Sequence, residues 1–221
     1  MFFAVRARKA CLSDINPQVV RTYKAIQSDA SLVANLLAGI PHHAQAFNEL
    51  RQFDPSTCSD AEAAARLIFL MKSCFNGVYR ENRAGSFNTP WGGKVFKLPD
   101  LPSLLAVQRE LQGVAIEQSD FSCVADRAKS GDFVYLDPPY PQRRYRGEFG
   151  SHFTASDVER LIRVCHRLDE QSVQVMLSYV VDDRIASALK GWRSVEVRST
   201  RSVASRSRFR GIDKERVFIN F

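Results

Sequence analysis

Long apolar runs are missing from this chain of 221 residues: the longest uninterrupted ones, such as residues 67–71, are far too short to cross a bilayer, which needs about 20. No membrane partner is therefore expected. Paired cysteines are missing too. Cys11, Cys58, Cys74, Cys123 and Cys165 are odd in number and form no CxxC unit, which reads as reduced thiols in a cytoplasmic protein rather than a disulfide framework. Of four histidines, His42-His43 has no Cys or carboxylate at metal-ligand spacing, so no metal site is expected. The opening Met1-Phe2-Phe3-Ala4-Val5 has no basic leader, which argues against a signal peptide. Internal repeats and low-complexity tracts are also absent.

What is present is a hydrophobic content of 45% and a formal charge of +7. The first suffices for one sizeable core, or a core plus a small subdomain. The second suits a polyanionic partner. Much of the excess is local: Arg143, Arg144 and Arg146 lie close together, and Arg193, Arg198, Arg201, Arg206, Arg208, Arg210, Lys214 and Arg216 crowd the end. The end run is also what a solvated face would look like.

The most informative segment is Asp137-Pro138-Pro139-Tyr140, directly behind the apolar Phe133-Val134-Tyr135-Leu136. It puts a carboxylate, a rigid carbonyl and an aromatic ring at the carboxyl end of a strand, where open α/β sheets place ligands. These groups suit activation of the exocyclic amine of a flat heterocycle. The lone pair of such an amine is drained into the ring until its hydrogens are held, and Asp137 and the Pro138 carbonyl can accept them. The two prolines remove N–H donors and conformational freedom, and Tyr140 offers a face for stacking. An aspartate merely ending a strand before a proline turn is the plain alternative.

This segment resembles the catalytic motif of amino-methyltransferases acting on adenine N6 or cytosine N4. Further segments narrow the resemblance to the Dam-like, DPPY-motif, site-specific DNA adenine-N6 methyltransferases. These are Leu12-Ser13-Asp14-Ile15-Asn16, Asn76-Gly77-Val78-Tyr79-Arg80-Glu81-Asn82, Gly85-Ser86-Phe87-Asn88-Thr89-Pro90 and Ser119-Asp120-Phe121, in the family's order.

Secondary-structure patterns alternate between helix and strand with one interruption. A strand is expected at residues 9–13, then Asn16 as N-cap and Pro17 at the first helical position start a helix to about 27. Helical patterns follow at 31–38, 44–53 and 60–75. Residues 76–98 have the Gly, Asn, Arg and aromatic composition of a recognition loop or hairpin. Strands are expected at 114–118, 132–136 and 173–177, helices at 154–168 and 183–189, and a closing antiparallel pair at 194–197 and 217–221. The resemblance implies a doubly wound, Rossmann-like α/β sheet. It divides the chain into a partial cofactor-binding part (1–54), a mostly helical target-recognition insertion (55–112) and a catalytic part (113–221).

The resemblance also assigns roles. Asp137, Pro138, Pro139 and Tyr140 are the expected catalytic residues. S-adenosylmethionine is the expected cofactor, with Asp14 at its ribose, Ile15 on its adenine, Asp120 and Phe121 at the adenine, and Asp137 completing the set. An acidic residue ending the second strand of such a fold commonly binds ribose hydroxyls; a lone Asp at a helix start is more often only a cap, but here Asn16 already fills that role. Arg80, Asn82 and Arg83 are candidates for reading bases, and Arg143 and Arg144 for phosphates of double-stranded DNA.

The family's N-terminal WxGGK segment, first strand and FxGxG loop have no counterpart here, so the first strand is expected to be missing. Trp91-Gly92-Gly93-Lys94 matches the first pattern but follows the recognition-loop segment, and a displaced cofactor site there is the less favoured reading. Adenine-N6 methylation at a specific DNA site is the leading expectation. Cytosine N4 or RNA adenine as substrate, and an inert DNA-binding fragment, stay open at this point.

Overall fold

The polar tract after residue 10 sets the first turn of the structure. A short helix, α1 (Phe2–Val5), precedes strand β1 (Cys11–Asp14). Asn16 then starts α2 (Pro17–Ala38): its side chain accepts from the Gln18 N–H at 2.8 Å, and Pro17 fills a position where a missing N–H costs nothing. The computed structural model describes all residues except 6, 8, 83, 94–96, 140–152, 181 and 201–211, and at 198–200 and 212–214 the backbone alone.

The chain packs as two units that divide between Ser119 and Asp120. In the first, α2 is followed by α3 (Ala44–Gln52), α4 (Asp60–Ser73), α5 (Leu101–Leu111) and β2 (Ala115–Gln118). The two helices expected on either side of residue 29 are one helix bent at Asp29 (φ −150°, ψ 86°), whose Oδ1 accepts from the Leu32 N–H at 2.9 Å. A cap-type residue inside a helix makes a kink where the neighbouring apolar pattern continues.

Val20, Ile26, Ala30 and Val33 of α2 pack against Ala61 and Ala64 of α4, Leu104 and Leu111 of α5, and Ile116 of β2. The alanines of α4 let its backbone come close. Ser59 and Glu62 start that helix with a reciprocal capping box. A second cluster joins Phe47, Phe69, Leu70 and Cys74 to Phe87 and Trp91 of the following hairpin. Arg66, 4% exposed, donates to the Leu50 and Arg51 carbonyls at the end of α3, at 2.6 and 3.4 Å. Burial lowers its pKa, and those carbonyls satisfy its N–H groups. β1 and β2 form a parallel pair with Asp14 opposite Gln118.

The second unit begins with a 3-10 turn (Phe121–Cys123) and α6 (Val124–Arg127). Strand β3 (Phe133–Leu136), helix α7 (Ala155–Glu170), β4 (Gln174–Val180), α8 (Asp183–Ala188), β5 (Arg193–Thr200) and β6 (Ile212–Ile219) follow. The sheet order is β3-β4-β6-β5, with β3 and β4 parallel; the β5–β6 pair is the antiparallel closing pair that the sequence led us to expect.

Residues Val158, Leu161, Val164, Cys165 and Leu168 recur at helical spacing on α7 and pack on Val175, Leu177 and Tyr179 of β4, with Leu136 and Phe218. The fold is thus mixed α/β. The strands form two sheets, β1-β2 and β3-β4-β6-β5, and among the described residues β3 has β4 as its sole strand neighbour.

Candidate active site

Strand alternation sets the chemistry at the end of β3. Val134 and Leu136 pack into the core under α7, so Tyr135 and Asp137 point to the other face. Leu136 is 4% exposed and anchors the strand; Asp137 emerges exposed, Pro138 is buried again and Pro139 is exposed. A buried proline directly after the carboxylate leaves the turn little freedom. Tyr135 is a residue that motif reading missed. Burial and the charge of Asp137 push its phenol up, while the Ser178 side chain hydrogen-bonds it and opposes that shift. The signal was available in the alternation of residues 133–137.

Asp120 and Phe121 share this unit. Asp120 caps the 3-10 turn: its Oδ1 accepts from the Ser122 N–H at 2.9 Å and the Ser122 hydroxyl at 2.6 Å, and it is also bonded by the Arg160 Nη2. Burial works against ionisation here, but Ser122 and Arg160 outweigh it and hold the carboxyl below its usual pKa. The Arg160 guanidinium carbon lies 4.8 Å from the centre of the Phe121 ring.

Asp14 and Ile15 belong to the first unit, at the carboxyl end of β1. Asp14 Oδ1 accepts from the Asn16 N–H at 2.7 Å, its carbonyl accepts from the Ser119 N–H at 3.1 Å, and the Ile15 carbonyl accepts from Gln118 Nε2 at 3.3 Å. Both backbone groups are tied to the end of β2. The Ile15 side chain is left 55% exposed, an apolar surface beside an exposed carboxylate.

In the same unit, residues 79–91 fold back on themselves through a Glu81–Phe87 bridge and the Cys74–Trp91 bridge at the base. Arg80 Nη2 donates to the Asn88 carbonyl at 2.6 Å. Asn82 Oδ1 accepts from the Ala84 and Ser86 N–H groups at 2.9 and 3.0 Å, closing the tip. Asn82 thus has a local turn role. Trp91 packs on Phe47 at 5.3 Å, and the Gly92 N–H donates to the Ser73 carbonyl at 2.9 Å. These contacts make the Trp91–Gly92 pair part of the closure of the hairpin base. Among the described residues no group of three or more His, Cys, Asp or Glu side chains could hold a metal, and no helix is long and apolar enough to cross a membrane.

The model of the D12 class N6 adenine-specific DNA methyltransferases matches residues 1–203. The chain belongs to that family. Among similar proteins, the Type II methyltransferase M.MjaIII of Methanocaldococcus jannaschii is 30% identical over 194 residues, covering 79% of this chain and 67% of the relative. Type II methyltransferase M1.LlaDCHI of Lactococcus lactis subsp. cremoris is 28% identical, covering all of this chain and 82% of the relative. The retron Ec67 DNA adenine methylase of Escherichia coli is 27% identical over 204 residues, covering 87% and 69%.

As a D12 methyltransferase, the protein is an enzyme that methylates the N6 amine of adenine in DNA. Its expected residues fall in two groups: Asp137, Pro138, Pro139, Asp120 and Phe121 in the second unit, Asp14, Ile15, Arg80 and Asn82 in the first. Tyr140, Arg83, Arg143 and Arg144 lie outside the described residues.

Proposed function

We propose that this D12 methyltransferase uses S-adenosylmethionine to methylate a flipped adenine at a specific site in double-stranded DNA. The observation that carries the reading is the turn after β3, with Asp137 exposed between buried Leu136 and buried Pro138. A duplex buries adenine N6, so the base must leave the stack, at a cost of a few kcal/mol. The Asp137 carboxylate and the Pro138 carbonyl then accept the two amine hydrogens, which localises the nitrogen lone pair for attack. Pro139 stiffens the turn and Tyr140 stacks on the base.

The side chains present fit the cofactor. Asp14 offers an exposed carboxylate for ribose hydroxyls, Ile15 and Phe121 offer apolar surface, and Asp120 offers an ionised acceptor. When bound, S-adenosylmethionine supplies an electrophilic methyl on a cationic sulfur, to which Asp137 also adds nearby negative charge. Arg80, Asn82 and Arg83 read neighbouring bases from the hairpin, and Arg143 and Arg144 contact phosphates.

We further assign residues 1–54 and 113–221 to a Rossmann-like core and 55–112 to target recognition, in a cytoplasmic enzyme whose five cysteines form no disulfide. Among the described residues β3 and β1 each pair with a single strand, which supports the view that the family's first strand is not among them. An edge carries unpaired N–H and C=O groups that a further strand would satisfy.

The test is methyl transfer from labelled S-adenosylmethionine to duplex DNA, with the product digested to nucleosides. N6-methyladenine as the labelled nucleoside is expected. Asp137→Ala should abolish transfer and leave DNA binding nearly intact. Most of the turnover surviving in that variant would sink the assignment of the turn.

A further inference from the structure

Arg160 does more than cap an acid. It sits in the second turn of α7, where Asp157 Oδ1 accepts from its Nη1 at 3.1 Å, and its Nη2 reaches back to Asp120. The same guanidinium covers the Phe121 ring at 4.8 Å, while Phe153 leans on that ring at 5.7 Å and 49°. One planar group therefore holds both members of the Asp120–Phe121 pair. The side chains of Arg160 and Asp120 are 37% and 38% exposed, and an ion pair that exposed adds little stability. What it adds is geometry: the planar fork of this arginine reaches Asp157 through Nη1 and Asp120 through Nη2 while stacking on a ring, which a lysine cannot do.

The bonds on Asp120 are also uneven. Its Oδ1 receives Ser122 N–H, Ser122 O–H and Arg160, whereas Oδ2 has no hydrogen bond among the described residues. An ionised carboxylate with one oxygen fully engaged and the other open suits a ligand that brings an N–H donor, and the exocyclic amine of an adenine stacked beside Phe121 is such a donor.

We propose that Arg160 is a positioning residue of the cofactor site: by gripping Asp120 through Oδ1 and lying over Phe121, it sets how the ring and the open Asp120 oxygen meet the adenine of S-adenosylmethionine. The proposal rests on the reading of Asp120 and Phe121 as the adenine-binding pair.

The test compares binding of S-adenosylhomocysteine and S-inosylhomocysteine, in which a carbonyl replaces the adenine amine, to the full chain by calorimetry. The wild-type protein should prefer the adenosyl ligand by about tenfold or more, the worth of one charge-assisted hydrogen bond. Arg160→Gln should cut adenosyl affinity by about tenfold more than inosyl affinity, so that selectivity collapses. Arg160→Lys, which keeps the charge and loses the fork, should fall between them, and if the Gln variant does not fold, the Lys variant decides by the same comparison. Wild-type selectivity in the Arg160 variants, with selectivity lost in Asp120→Asn, would overturn the positioning role and leave the adenine-binding pair standing. Unchanged binding in both Asp120→Asn and Phe121→Ala, or no binding of either ligand by the wild-type chain, would overturn the pair and the proposal with it.

Discussion

The Tyr79 hydroxyl donates to Glu81 Oε1 within the 79–91 hairpin, while the Asn16 side chain that caps α2 opposes the rise of its pKa. Burial first, and then Glu81, push the phenol up to about 12. The ring is fixed edge-on to Phe87 at 5.6 Å. Tyr79→Phe should lower stability by about 1–2 kcal/mol and the melting temperature by a few degrees. Thermal unfolding that superimposes on wild type would show that the hydroxyl holds nothing.

Two neighbouring glycines should respond differently to alanine. A Cβ on Gly92 would stand 2.8 Å from the Cys74 carbonyl oxygen and 3.0 Å from that of Ser73, whereas one on Gly93 would meet nothing within 4 Å and suffer only from φ +70°. Gly92→Ala should cost about 3 kcal/mol, because backbone must move. Gly93→Ala should cost about 1 kcal/mol. Urea titration of both variants would check the order, and equal losses would contradict the close approach.

The face of α7 should dominate the stability of the second unit. Leu161 and Leu168 are both 0% exposed, while Val195 and Val197 on β5 are each 42% exposed. Leu161→Ala or Leu168→Ala should cost about 2–5 kcal/mol. Val195→Thr or Val197→Thr should change stability by no more than about 0.5 kcal/mol. Denaturant midpoints that fall equally in both pairs would refute this division of the core.

Alkaline pH should destabilise the fold in a defined order. Burial raises the Cys165 thiol from 9.0 to about 12, and the Tyr79 phenol goes from 10.0 to about 12. In each case the folded state favours the protonated form. Below the unfolded value both states are protonated and the full stability is present; above it the unfolded chain ionises first, and stability is lost as pH rises toward the folded value. Melting temperatures should therefore begin to fall above about pH 9, with Tyr79 adding to the loss above about pH 10. Cys165→Ala should flatten the first part of the fall while being less stable at neutral pH. A fall of unchanged steepness in that variant would assign it to other groups.

Arg143 and Arg144 are proposed to contact the DNA phosphates. Each phosphate contact releases counterions and contributes about 0.9 to the slope of log affinity against log salt. Neutralising both should reduce the slope by about 2 and weaken binding to all sequences alike. A slope that does not move would remove them from the interface.

Much of this protein was determined by its sequence locally. Asn16-Pro17, Ser59 with Glu62, and Thr154 with Asp157 start helices because the capping groups lie within three residues of the N–H groups they satisfy. The Asp137-Pro138-Pro139 turn and the β3 run before it are legible for the same reason: the rigid residues and the alternation are contiguous. Helix α5, by contrast, passed unassigned within the 76–112 stretch, and the 28–30 break looked like a helix end when it is a kink. Only the tertiary structure decided that α2 packs on both α4 and α5, that Trp91 closes a hairpin against Phe47, and that Arg160, 40 residues from Asp120, clamps it. Packing and ion pairs between distant segments follow from which faces meet, and that is settled by burial summed over the whole chain rather than by any spacing within it.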